Sequence, residues 1–371
     1  MKKSNVALIA TVLIAIHVLI LLALMSTSSR RKESARPAPA TVATQPAPAP
    51  LELEPIVDFQ VPELNLTPPA QQIMAVEVVE MAPAQPRETI AVPGSRAGHL
   101  RADRPDRRTS KIYPNLVGDP YQSSIVVDAR TGKILFEDRA AVYAYPASIT
   151  KLMTMLIVLE QIDAGVISLK DKVKITAEVS KVGGSQAYLD PRETDFTVDD
   201  MLYALMVHSA NDAARALALH VAGSKDAFVD MMNQKARELG MNSTIYHTDH
   251  GLPPSKEQPD ISTAYDIAIL SLASLRQPET LRYTSTELTY IRGGGFMLAT
   301  RNALAKRVDG YMGCDGLKTG YHSRGGFSLT ATAERNGKRV ISVVLGCPDK
   351  TTRTAISRKL LDKGFERLEK E

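Results

Sequence analysis

Apolar positions along the chain follow three different patterns, and each predicts a different kind of structure. Residues 6–25 form a twenty-residue run without a charge, broken only by Thr11 and His17, long enough to cross a bilayer as a helix. The run exceeds the apolar stretch of a cleavable leader and ends Leu24-Met25-Ser26, so it is read as an uncleaved transmembrane signal anchor. Lys2 and Lys3 on one flank nearly balance Arg30, Arg31 and Lys32 on the other, so the charges alone leave its orientation open. From residue 26 to 110 the periodicity disappears. Thirteen of the 22 prolines lie between Pro37 and Pro105 among Ala, Thr and Gln, the composition of a disordered linker. Its apolar patches at 56–61 and 73–81, and the Arg96, Arg101, Arg104, Arg107, Arg108 cluster offset by Asp103 and Asp106, read as features of a solvated tether.

From 111 to 371 the pattern is that of a packed domain. Segments 124–128 and 133–136 flank Ala129-Arg130-Thr131-Gly132 and predict a β-hairpin. After Pro146, the residues Leu152, Met155, Leu156, Leu159 and Ile162 recur at helical spacing as far as Gly165. Further helices are predicted over 197–207, opened by Thr197 with Asp200 three residues on, over 212–222, and over 224–239 before Gly240. Strands return at 327–333 and 339–345 around Arg335-Asn336-Gly337, and 354–368 predicts a closing helix. Strands at both ends with helices between them imply an α+β domain whose sheet joins distant segments.

Composition narrows the chemistry. Aromatic residues make up 5% of the chain and Trp is absent, which gives little support to base stacking or a long carbohydrate groove. Lys+Arg number 45 against 41 Asp+Glu, so no basic field argues for nucleic acid as a partner. Cys314 and Cys347 are too few for a zinc site. Each abuts an apolar or Gly-rich strand-like segment, and both are read as buried, unpaired thiols.

Three short motifs follow one another in the packed region: Ser148-Ile149-Thr150-Lys151, Ser209-Ala210-Asn211 and Lys318-Thr319-Gly320. S-x-x-K alone is weak, because a chain of this length contains about one or two by chance. Ser29-Arg30-Arg31-Lys32 is such a copy, placed where nothing organises a site. Order and context raise the joint signal. Ser148 falls in the first turn of the helix after Pro146, with Lys151 three residues on and on the same face. A serine nucleophile needs a base, and an ammonium is none. Lys151 therefore has to be partly neutral, a state that burial and a second cation such as Lys318 promote. The helix N-terminus also places the Ser148 N–H where an oxyanion can be held. Ser209 and Asn211 sit between two helices, a rigid mount for a proton-relaying hydroxyl and a substrate-orienting amide, although helix capping would use the same residues. Lys318, Thr319 and Gly320 belong on an exposed strand, where glycine admits a substrate backbone and the other two receive a carboxylate.

With the flanking segments Pro146 to Thr154, Gly183-Gly184-Ser185, His208 to Ala214, His250-Gly251-Leu252 and Asp315 to Tyr321, the chain resembles the serine D-alanyl-D-alanine carboxypeptidases, the low-molecular-mass penicillin-binding proteins. The resemblance implies a β-lactamase/transpeptidase-like fold, an antiparallel sheet flanked by helices with a helical subdomain, and removal of the terminal D-Ala from peptidoglycan stem pentapeptides. It implies Ser148 as the acylated nucleophile, Lys151 as general base, Ser209 and Lys318 as proton-transfer partners, and Asn211 beside them. The Tyr321 and Ser148 N–H groups would form the oxyanion hole, while Thr319, Gly320 and Arg353 would hold the substrate and its carboxylate, with Arg301 a second candidate. No metal or cofactor is implied. β-Lactams are implied as covalent inhibitors, and the site should lie outside the cytoplasmic membrane, where peptidoglycan is. The sequence departs from the family pattern at Ala210, where many relatives have Gly, and at His322. With His208, His322 is either a tuner of the pocket's pH response or an incidental polar residue.

Other readings stay open. A D,D-endopeptidase that cuts cross-links would share these motifs, as would a β-lactamase or a wall-binding scaffold without activity. Glu238-Leu239-Gly240-Met241-Asn242 imitates a deacylating loop, but Glu238 falls at the end of a predicted helix. His247, Asp249 and His250 would be needed for a metal hydrolase, yet no second ligand pair has recognisable spacing. Gly183-Gly184-Ser185-Gln186-Ala187 lacks the last glycine of a nucleophile elbow.

Overall fold

Strand β1 (Ser123–Asp128) is buried along its whole length, because its alternate side chains enter two different cores. Ile125 and Val127 face one layer and Val126 the other, as period-two alternation requires. The neighbouring strand β9 (Lys338–Cys347) divides likewise: Ile341, Val343 and Leu345 join the first core, Val340 and Val344 the second. Its register against β1 pairs Ile125 with Val343 and Val127 with Ile341, which keeps like-facing residues together. With β2 (Ile134–Asp138), β7 (Cys314–His322) and β8 (Gly326–Arg335), these strands form one antiparallel five-stranded sheet, ordered β2-β1-β9-β8-β7. Residues 115–255 and 258–370 are described in this computed structural model. The apolar span 6–25 and the Pro-rich segment to residue 110 lie outside them, and no helix among the described residues is long and apolar enough to cross a membrane.

Local chemistry sets the turns. In the β1–β2 hairpin the Asp128 carboxylate accepts from the Arg130 N–H (3.0 Å) and the Thr131 hydroxyl (2.6 Å), an arrangement that reverses the chain without help from the core. The β8–β9 turn places Asn336 (φ 52°) and Gly337 (φ 71°) in the left-handed region, the geometry that matches strand twist in a two-residue hairpin.

The helices differ from the sequence pattern mainly at their ends. A 3-10 turn at Ala147–Thr150 precedes α1 (Lys151–Asp163), so Ser148 lies before the α-helix and not within it. A short helix α2 (Ala177–Ser180) follows. Thr197 and Asp200 form a reciprocal capping box on α3 (Val198–Tyr203), as their spacing predicts. That helix then widens into a π-turn, Ala204–His208, before α4 (Asn211–Ala222) and α5 (Lys225–Glu238), the latter capped by Ser224. The sequence pattern does not isolate α6 (Ala264–Arg276), α7 (Thr280–Thr284) or the hairpin β5 (Leu288–Ile291) with β6 (Phe296–Ala299). Two-residue strands β3 (Tyr143–Ala144) and β4 (Ser262–Thr263) pair beside the sheet.

One sheet face packs on α1 and α6, where the Ser271 and Thr330 hydroxyls meet at 2.8 Å. The other carries α8 (Lys350–Glu369), which starts four residues earlier than its apolar period shows because Asp349 caps it by accepting from the Thr352 N–H. Leu360, Leu361 and Phe365 of α8 sit on Val126, Leu329, Val340 and Val344, each burial contributing about 1.5–3 kcal/mol. Gly364 sets how closely the helix approaches, since a Cβ there would lie 2.5 Å from Val340 Cγ1 and 2.9 Å from Val126 Cγ1. Alanine is the better helix former by about 1 kcal/mol. Overpacking against two stiff valines outweighs that gain. Gly364→Ala should therefore lose about 1–3 kcal/mol in urea unfolding, and a stabilised variant would refute this packing account.

Candidate active site

Three parts of the fold converge on Ser148. The 3-10 turn presents the serine, the π-turn and the start of α4 present Ser209 and Asn211, and edge strand β7 presents Lys318. Gly320 and Gly251 allow this approach. A Cβ on Gly320 would lie 2.6 Å from the Pro146 carbonyl oxygen, and one on Gly251 (φ 89°) 2.0 Å from that of Ala147.

The Lys151 amine is wholly buried and is bonded on three sides. Nζ lies 3.1 Å from Ser148 Oγ, 2.7 Å from Asn211 Oδ1 and 2.6 Å from the His250 carbonyl oxygen. A neutral amine has two N–H donors and one lone pair. Asn211 and His250 can take the two N–H bonds, which leaves the lone pair for the Ser148 O–H. Burial lowers the Lys151 pKa from the usual lysine value to about 7, opposed by Asp249 and aided by the Arg301 charge. Lys318 is also buried, and its pKa falls well below the ordinary value through burial and the Lys151, Arg301 and Arg353 charges. Its Nζ lies 2.9 Å from Ser209 Oγ and 3.3 Å from the Thr319 carbonyl.

The π-turn explains the position of Ser209. The chain leaves it in the left-handed conformation at Ser209 (φ 63°, ψ 36°), which turns the hydroxyl toward Lys318. Neither Ser209 nor Asn211 caps α4, whose N-cap residue, Ala210, makes no side-chain cap bond. Asn211 Nδ2 instead donates to the Gly183 carbonyl at 2.9 Å, while Asp212 accepts from the Ala187 and Leu189 N–H groups and fixes the 183–189 loop.

The remaining residues named from sequence are placed as follows. Thr319 is buried and Tyr321 is exposed with its ring 4.5 Å from that of Phe327. Arg353 is buried in the first turn of α8, and its Nε has no hydrogen-bond partner among the described residues. Arg301 is exposed, donates to Ser185 Oγ at 2.8 Å, and acts electrostatically on both lysines. His208 packs edge-on against Phe296, and His322 lies 4.6 Å from the Tyr145 ring; burial lowers the pKa of both. Glu238 is bonded to Lys235 and Gln234 at the end of α5. Cys314 and Cys347 are free thiols.

The 247–251 loop has a part that the sequence alone did not reveal. Its His250 carbonyl accepts from Lys151, and Asp260 holds the loop in place by accepting from the His247 and Thr248 N–H groups and the Thr248 and Thr150 hydroxyls. The Thr150 bond crosses 110 residues of sequence, so no local spacing signals it. Asp249 is paired with Arg215 and its Oδ1 also lies 3.2 Å from His250 Nε2, while His250 Nδ1 accepts from the Leu252 N–H. Among the described residues no group of three His, Cys, Asp or Glu side chains could hold a metal ion. Asp260→Ala strands these donors in a buried space and should cost at least about 3 kcal/mol in urea unfolding. Asp260→Asn keeps an acceptor and should cost less, and equal losses in the two variants would contradict this role for the carboxylate.

The chain is 36% identical over 271 residues to the D-alanyl-D-alanine carboxypeptidase DacF of Bacillus subtilis, covering 72% of this chain and 67% of that protein. It is 33% identical over 272 residues to the D-alanyl-D-alanine carboxypeptidase DacA of Escherichia coli, covering 71% and 65%. The chain thus spans about two thirds of the length of these curated relatives. The crystal structure of ampicillin-bound penicillin-binding protein D2 from Listeria monocytogenes superposes with a TM-score of 0.60 at 32% identity, covering 66% of this chain and 98% of that one. The sheet and its flanking helices therefore form the β-lactamase/transpeptidase-like fold. The D-alanyl-D-alanine carboxypeptidase family model matches residues 120–349, and the chain belongs to that family.

Proposed function

We propose that the chain is a serine D,D-carboxypeptidase that removes the terminal D-Ala from peptidoglycan stem pentapeptides. The observation that carries this reading is the buried Lys151 amine 3.1 Å from the Ser148 hydroxyl, in surroundings that favour its neutral form. Ser148 Oγ attacks the carbonyl carbon of the D-Ala-D-Ala amide as its proton passes to Lys151, and the carbonyl oxygen becomes an oxyanion held by the Ser148 and Tyr321 N–H groups. The C–N bond then breaks as Ser209 and Lys318 pass a proton to the leaving amine, and D-Ala departs. Water attacks the resulting ester by the reverse proton route and restores Ser148. Arg353 and Thr319 receive the substrate's terminal carboxylate, with Asn211 and Gly320 orienting the peptide and Arg301 at the rim. A β-lactam enters the same first step, but its leaving nitrogen stays tethered in the opened ring. The adduct persists.

We extend the reading to the segments that precede the catalytic residues. Residues 6–25 anchor the chain in the cytoplasmic membrane, and the linker carries the catalytic residues outside, with Lys2 and Lys3 inside. External protease on spheroplasts should remove the catalytic region. Its protection would reverse the topology.

Intact mass spectrometry after incubation with penicillin should show one covalent adduct on the parent protein and none on Ser148→Ala, and an unmodified parent would exclude the mechanism. Acylation needs neutral Lys151, so its rate should rise with pH to a plateau above about pH 7 and fall about tenfold per unit below it. A rate flat across that range would remove Lys151 as the base. Pentapeptide should release D-Ala faster than cross-linked muropeptides are cut, and the reverse order would make the chain an endopeptidase.

A further inference from the structure

Helix α4 reaches the Lys151 amine by two routes. Asn211 and Arg215 lie one helical turn apart and share a face. Asn211 bonds to Lys151 directly. Arg215 instead grips the Asp249 carboxylate with two N–H groups, Nε to Oδ2 at 2.5 Å and Nη2 to Oδ1 at 3.2 Å, while its Nη1 bonds to Glu178 at 2.8 Å. The Asp249 side chain is fully buried, and a carboxylate placed there needs a partner. Two further bonds join Asp249 to the site. The Thr154 hydroxyl, one turn beyond Lys151 on α1, donates to the Asp249 carbonyl at 2.6 Å, and the adjacent His250 carbonyl accepts from Lys151 at 2.6 Å.

We propose that Arg215 and Asp249 are a positioning pair for Lys151, on the reading of that amine as the acylation base. The guanidinium holds the carboxylate so that the 247–251 loop presents the His250 carbonyl to Lys151, and it balances the negative charge that the loop brings beside the amine. Every element around Lys151 contributes charge. Asp249 on the loop, Asp260 before β4 and Asp212 on α4 favour the ammonium form, while Arg301 opposes it. His250, whose Nε2 lies 3.2 Å from Asp249 Oδ1, is pushed by burial to about 3 despite that carboxylate and stays neutral, so Arg215 is the charged partner of Asp249. Among these carboxylates Asp249 is the one to which Arg215 is bonded, so Arg215 sets how much negative charge the amine senses.

The test is the pH dependence of acylation of the full chain by a fluorescent penicillin, measured for the parent, Arg215→Gln, Asp249→Asn and the double variant. Arg215→Gln leaves the carboxylate unbalanced and should move the inflection to higher pH by about one unit, a loss of about tenfold in rate on the acid side. Asp249→Asn leaves the guanidinium unbalanced and should move it to lower pH. The double variant should return toward the parent inflection. Arg215→Lys keeps the charge and should keep the inflection while lowering the plateau, because a single ammonium cannot hold the carboxylate at two points. Near-UV circular dichroism checks folding, and if Arg215→Gln fails to fold, Asp249→Asn and Arg215→Lys carry the test. Equal rate losses at every pH with an unmoved inflection in Arg215→Gln and Asp249→Asn would overturn the proposal, as would an Arg215→Lys shift as large as that of Arg215→Gln. A parent profile with no inflection would instead defeat the assignment of Lys151 as base.

Discussion

The Lys151 amine is held away from water beside a serine hydroxyl, and much of the surrounding structure serves to keep it there uncharged. Moving its pKa from 10.5 to about 7 corresponds to roughly 5 kcal/mol that the folded state forgoes at neutral pH. The sign follows from proton counting. Between about pH 7 and 10.5 the unfolded chain holds a proton at Lys151 that the folded chain lacks, so this group makes stability rise with pH across that window and adds no slope below it. Removal of water is what makes the lysine lower stability, and on the proposed mechanism the same removal frees its lone pair to act as a base.

The rest of the molecule makes such a burden tolerable. Strands with apolar residues on both faces are closed by α8 on one side and by α1 and α6 on the other, so the sheet is a rigid support. Its edge strand delivers Lys318 to the Ser148 turn, and α4 delivers Asn211. A charge on Lys151 disfavours ionisation of Lys318 in the same dry pocket, so burial and neighbouring cations together hold Lys318 toward its neutral form. The polar loop at 247–251 offers a carbonyl to the amine, an acceptor that bonds either protonation state.

Much of this was legible in the sequence. The β1–β2 hairpin, the capping pair Thr197 and Asp200, the Asn336-Gly337 turn and the helix after Pro146 all follow from interactions among near neighbours, which short windows contain. Elements whose apolar pattern is weak were not legible, whether their partners are near or distant. The β5–β6 hairpin and α6 lack a clean period, and the π-turn that sends Ser209 out of its helix has no signature in the apolar pattern.

The division at the site has the same physical basis. Sequence alone determined the candidate reactive groups and their order, because Ser148 and Lys151 are three residues apart and the two other motifs stand in short, recognisable runs. Tertiary structure alone decided how the amine is desolvated and which groups complete its shell. The bonds from His250 and Asn211 to Lys151, from Thr150 to Asp260 and from Arg215 to Asp249 join residues 34 to 110 positions apart. Burial and charge balance depend on distance in space, and a chain must fold before those distances exist.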